Sequence, residues 1–370
     1  MGNYYLRGLL KVLGGLTKPL AVNEFQYNSE RELFVSSKFW HEYLKLAHYL
    51  FIFPLIWPAI KMYLMDQLHT NFDYDHIRKL TAYSIIFSRH SGIFGSGFAL
   101  VYRSKDLCHL LNLFSNLWVM HYQLFGRSVQ VSSFSLFLHF IREFVPFYFM
   151  VHSGRNVPYL QYIMAIVFGR GMFIYYLCDV AMLLHMSLLK SLHKYFERPP
   201  RRRKARRRCC LKYYQKLLQL REGIQCVSWI SHTSRLISEI VFICWFGLDY
   251  MFNDQGQPEV FVTSLCFCFA NSNILHVVNM ARGIHIMEQE IIQHFHRQDM
   301  MKSLRLWPKC PQSKWSFLML EQLHLKRCLL KHRSVSLTNY FYVRQSLLLE
   351  IFGFVFTNAT LLASLSLKYK

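Results

Sequence analysis

Two groups of residues in this sequence have types and spacings that point to chemistry. The first is Gly353, Thr357, Thr360 and Ser364, within the run SLLLEIFGFVFTNATLLASLSL from Ser346 to Leu367. Spacings of four, three and four place them on one face of a helix. The rest of the run is mostly Leu, Ile, Phe, Val and Ala, with a single charge at Glu350. A stripe of small and hydroxyl side chains serves either of two ends. It lets neighbouring helices approach and bond across, or it lines a path along which hydroxyls and backbone help to solvate an ion. The spacing alone leaves both open. The second group is charge inside apolar runs: Arg142, Glu143, Arg170 and Glu239. Such charges are costly in lipid and are expected to pair or to face water. Adjacent helical residues point different ways, so Arg142 and Glu143 are expected to seek separate partners on other helices.

The elements that carry these residues follow from composition. The chain has 370 residues, is 53% hydrophobic and 16% aromatic, and carries a formal charge of +22. Only 17% of it is charged, and the basic residues fall between long apolar runs. That arrangement is the one membrane insertion produces. Seven runs are long enough to cross the hydrocarbon core as helices. They lie roughly at 46–64, 77–102, 131–151, 159–189, 230–252, 260–281 and 346–367. The fourth exceeds a bilayer and is expected to protrude into the cytosol. Gly92, Gly95 and Gly97 in the second would permit close packing. No cleavable signal peptide is expected in the first twenty or so residues, so the first span would serve as its own insertion signal.

Orientation follows from lysine and arginine. The segments 1–45, 102–130, 190–231 and 282–345 hold about 33 of the 43 basic residues, against about 5 on the opposite side. The N-terminus is therefore expected in the cytosol and the C-terminus outside the cell. The organisation expected is an all-α membrane protein in four parts. These are a cytosolic N-terminal segment 1–45, spans one to six over 46–281 with a basic cytosolic loop 190–229, cytosolic anchor helices 282–345, and a seventh span with a short outer tail over 346–370.

Other motifs point elsewhere only weakly. The run Arg201 to Arg208 resembles a nucleic-acid patch, yet in a chain of this kind it reads as a cytosolic retention signal touching anionic lipid. No nucleic-acid partner is expected. Cys209 and Cys210 after it are candidate palmitoylation sites, and Cys266 and Cys268 have no zinc partners. Among the histidines, His294 and His296 do not share a helix face. His285, Glu288 and His324 form no ligand pattern, so no metal and no cofactor is expected. Without a nucleophile elbow, phosphate loop or carboxylate pair, the chain does not read as an enzyme.

Seven spans with the N-terminus inside is the reverse of a G-protein-coupled receptor. No Glu/Asp-Arg-Tyr follows the third span and no Asn-Pro-x-x-Tyr lies in the seventh. Chain size, short outer loops, a long basic loop after the fourth span and a helical inner loop before the seventh resemble the insect chemoreceptor superfamily, and its gustatory receptor branch in particular. That family's signature in the last span is Thr-Tyr, five hydrophobics, Gln-Phe. Here it reads Thr357, Asn358, then Ala359 to Ala363, then Ser364 and Leu365, so the threonine alone is kept and the chain resembles a divergent member.

The resemblance implies a ligand-gated cation channel subunit in the membrane of a sensory neuron dendrite. It implies a homo- or heterotetramer with related subunits, in contact with membrane lipids and opened by a small-molecule tastant. On that plan the seventh helix lines the pore, with Gly353, Thr357, Thr360 and Ser364 facing the axis and Phe356 or Leu361 as a gate that dewets when closed. A tastant pocket would lie between the outer halves of spans two to six. Tyr83, Phe87, Phe147, Tyr148, Tyr159, Tyr162, Trp245, Asp249 and Phe267 are placed for it. A non-channel metabotropic receptor or transporter is the alternative reading.

Overall fold

The computed structural model describes residues 24–28, 33–50, 101–153, 158–197, 207–252 and 257–306, with positions 15, 18, 30, 95, 97 and 98, and eight positions between 350 and 364. The chain is mostly helical. Five long helices carry the architecture: α1 (Ser104–Phe125), α2 (Ser133–Ser153), α3 (Pro158–Glu197), α4 (Arg207–Phe252) and α5 (Gln257–Leu306). At 1.5 Å per residue, α3, α4 and α5 are about 60, 69 and 75 Å long, roughly twice the thickness of a hydrocarbon core. Each is longer than a hydrocarbon core is thick.

Parts of these helices build one core, the part expected to project into the cytosol. The C-terminal part of α3, the N-terminal part of α4, the C-terminal part of α5 and residues 110–125 of α1 bring together Leu117, Leu188, Leu189, Leu192, Tyr213, Leu217, Ile284 and Ile291, all buried. Burying one such side chain stabilises the fold by about 1.5–3 kcal/mol. The expected boundary at residues 281 and 282 falls inside α5, which runs through it unbroken. Helix α1 ends at Gly126, whose φ of 68° closes the last turn with its N–H donating to the Tyr122 carbonyl at 2.8 Å. A left-handed residue at this position favours glycine.

The expectation of an all-α chain is corrected at the N-terminus. Strands β1 (Phe25–Asn28) and β2 (Leu33–Ser36) pair antiparallel, with Tyr27 opposite Phe34. A two-stranded hairpin is marginal alone, and this one is held to α1. The Phe34 N–H donates to Asn112 Oδ1 at 2.8 Å, and Asn112 Nδ2 donates back to the Phe34 carbonyl at 2.9 Å. The Phe34 ring, buried, meets Phe25 and Tyr27 edge-on. Glu24, also buried, accepts from Ser36 Oγ at 2.5 Å and pairs with His41 in the helical stretch 38–50.

Among the described residues one stretch, Gly169–Glu197 of α3, is long and apolar enough to cross a membrane. The expected first, second and seventh spans fall largely outside the described residues. Of the three glycines expected to permit close packing, Gly92 lies outside the described residues. A Cβ on Gly95 would strike Ile230, and one on Gly97 would strike His48 at 2.5 Å.

Candidate functional site

The half of the bundle expected in the membrane holds a cluster of buried charge. Arg142 and Glu143 come from α2, Asp179 from α3 and Arg235 from α4, and all four are buried. Arg142 Nη2 donates to Asp179 Oδ2 at 2.5 Å, and Arg235 Nη1 donates to the same oxygen at 3.3 Å. Arg235 Nη2 donates to Glu143 Oε1. The guanidinium of Arg235 also lies 5.6 Å from the Tyr175 ring centroid, within cation–π range. Two cations thus face two anions, and each carboxylate meets both arginines. This balance is what a buried charge requires, because an unpaired one would cost several kcal/mol.

Arg142 and Glu143 find the separate partners expected on other helices, and they also meet each other. Arg142 Nε lies 3.6 Å from Glu143 Oε1. The arginine side chain is long enough to curl back toward its neighbour while its far nitrogen reaches another helix. At 3.6 Å the contact is an ion pair rather than a hydrogen bond. Each residue also hydrogen-bonds across to another helix as expected, Arg142 to Asp179 and Glu143 to Arg235.

Three histidines extend the cluster. Arg142 Nη2 donates to His139 Nδ1 at 2.9 Å, and the His139 ring stands 4.3 Å from that of His276 on α5. His232, one turn before Arg235, is buried with neither ring nitrogen hydrogen-bonded among the described residues. Glu239, the other charge singled out in the sequence, accepts from Asn273 Nδ2 at 3.0 Å. Arg170 is buried beside the position a Gly97 side chain would fill. Sequence reasoning missed Asp179 and the histidines. The signal was present: Asp179 is a carboxylate within FIYYLCDVAMLLHM, and an ionisable residue in such a run is a site by default.

The C-terminal stripe takes a different form. Glu350, Gly353, Phe354, Phe356, Thr357, Thr360, Leu361 and Ser364 are all helical and all exposed, Phe356 by 75%. At about 100° per residue they occupy less than half of the helix circumference. None of this arc is covered by the described parts of the chain. The hydroxyls are turned inward along their own helix. Thr357 donates to the Gly353 carbonyl and Thr360 to the Phe356 carbonyl, both at 2.8 Å, and Ser364 donates to the Leu361 carbonyl at 2.7 Å. Their protons are therefore committed, and what the stripe offers outward is oxygen lone pairs.

Of the residues placed for a ligand pocket, Tyr83 and Phe87 lie outside the described residues. Phe147 and Tyr148 lie on α2, Tyr159 and Tyr162 on α3, Trp245 and Asp249 on α4, and Phe267 on α5. Among the described residues no group of three or more His, Cys, Asp or Glu is arranged to hold a metal ion.

No protein family matches the chain by sequence, and no curated protein matches it. Solved structures do. The insect olfactory receptor OR5 from Machilis hrabei superposes with a TM-score of 0.68 at 12% identity, over 98% of this chain and 99% of that one. The same receptor in complex with eugenol superposes with a TM-score of 0.65 at 11% identity, over 99% and 100%. The fold of this chain is similar to that of this receptor.

Proposed function

We propose that this chain is a subunit of a ligand-gated cation channel of the insect chemoreceptor kind. The observation that carries the reading is the uncovered arc of the last helix. A chain of this fold ends in a helix whose small and hydroxyl residues, flanked by Phe356 and Leu361, are left without cover by the described residues. In a tetramer, four such arcs would meet on an axis. The threonine and serine oxygens, already donating inward, would then present acceptors to a passing cation, and rings of Phe356 or Leu361 would close the path by dewetting.

The ligand in this reading is a small organic molecule, held among the outer halves of the bundle by residues such as Phe147, Tyr148, Tyr162, Trp245, Asp249 and Phe267. A receptor of the same fold solved with eugenol supports that class of ligand. The sequence resemblance favours a tastant and a sensory-neuron membrane, with the N-terminus and the projecting core in the cytosol. Related subunits would complete a heterotetramer where this chain does not assemble alone.

Cysteine substitution tests the arc. Thr360→Cys and Ser364→Cys channels are expected to lose agonist-evoked current on exposure to a charged thiol reagent, whereas the unsubstituted protein keeps it. Full current in both variants after demonstrated labelling would remove the last helix from the ion path.

A further inference from the structure

We propose that Arg221 and Glu288 form a proton-operated latch between α4 and α5 in the projecting core, with cytosolic acidity as its regulator. The proposal rests on the orientation given above, which places this core in the cytosol.

Both residues are buried where α4 crosses α5, and Arg221 Nη1 donates to Glu288 Oε2. The surroundings are apolar: Leu217, Leu220, Ile224, Ile284 and Ile291 belong to the same core. The other oxygen of the carboxylate, Oε1, has no hydrogen-bond partner among the described residues. Glu288 meets Arg221 alone among the described residues. One guanidinium does not fully offset the removal of a carboxylate from water. Burial accordingly pushes the Glu288 carboxyl up to about 7, against the lowering effect of Arg221.

Among the described residues the other groups facing the pair do not supply a second cation to Glu288. From α4, the Tyr214 phenol faces both members and is pushed upward by burial, so it stays neutral. From α3, His185 faces Arg221 and is buried with neither ring nitrogen hydrogen-bonded among the described residues. On α5 itself, Glu290 is engaged by His193 of α3, and His285 by Gln289. Helix α2 meets α5 at His139 and His276, about three turns away.

The sign follows from linkage. A carboxyl whose pKa is higher in the packed state than in a loosened, hydrated one binds its proton more tightly when packed. Acid therefore favours the packed junction, and that advantage is lost as pH rises through about 7. Between pH 6 and pH 8 the ratio of loosened to packed junction should rise about tenfold.

Hydrogen exchange of the full chain in nanodiscs tests the latch without reference to conduction. After correction for the intrinsic pH dependence of exchange, amides at 214–224 and 284–292 should open about tenfold more often at pH 8 than at pH 6. Glu288→Gln should flatten that response. Arg221→Met, which removes the partner that lowers the carboxyl, should move its midpoint above 7 and serves if Glu288→Gln does not fold. A wild-type junction that ignores pH over this range overturns the proposal, as does a Glu288→Gln junction that keeps the wild-type response. Inside-out patches then read the consequence. Agonist-evoked current should depend on bath pH with a midpoint near 7 and lose that dependence in Glu288→Gln. Exchange that responds while current does not leaves the latch standing and overturns its link to the proposed channel.

Discussion

Arg235 on α4 bonds to Asp179 on α3 through one nitrogen while its other terminal nitrogen reaches Glu143 on α2, so a single guanidinium ties three helices. Arg142 closes the figure from the opposite side. A cluster of this kind does not register as four separate interactions, because removing one member leaves the others buried and unbalanced.

Arg235→Met is therefore expected to destabilise the bundle by about 3–5 kcal/mol, the cost of stranding a buried charge. Adding Glu143→Gln to the same chain should recover part of the loss, because the stranded anion is then neutral. Thermal unfolding of both variants in nanodiscs measures this. A double variant less stable than the single one by the full cost of Glu143→Gln alone would mean that the two residues are not coupled.

Asn112 joins the N-terminal hairpin to α1 through a pair of hydrogen bonds on Phe34. Asn112→Ala removes both and strands a half-buried strand edge, at a cost of about 1–3 kcal/mol. Amide exchange over 25–36 should accelerate while exchange within 104–125 is unchanged. Equal acceleration in both would show that the hairpin and α1 open as one unit.

His121, buried near the end of α1, donates from Nδ1 to the Arg127 carbonyl at 3.0 Å. Burial pushes its pKa down from the ordinary 6.5 to about 4. A folded state that resists protonation is stabilised above pH 6.5 and loses that contribution as pH falls toward 4. The loss is on the order of 3 kcal/mol over that interval. The melting temperature of the wild-type chain should drop as pH falls from 6.5 to 4.5, and His121→Phe should drop less. An identical pH profile for the two would assign the acid sensitivity to other groups.

The long helices were legible before the structure because hydrophobic run length and basic flanks are local signals. The run 159–189 already exceeded a bilayer, and α3 extends it to Glu197. The hairpin was not legible. FQYN and LFVS are short and lie among polar residues, and their strand form depends on Asn112, some eighty positions away. The cluster was half legible. Arg142 and Glu143 announced a need for partners, but those partners are 37 and 92 positions distant in sequence and only packing brings them together. The stripe on the last helix was legible as a face, whereas the inward turn of its hydroxyls is a rotamer choice that composition does not encode.

Helix α5 has one further consequence. It runs 50 residues with its only proline in the first turn, and it continues as one helix through Gly283 near its middle. A rod about 75 Å long behaves as a lever. A tilt of about 3° at the end expected to face the outside would carry the opposite end sideways by about 4 Å, close to the width of a side chain. Distance, in this molecule, works as gain.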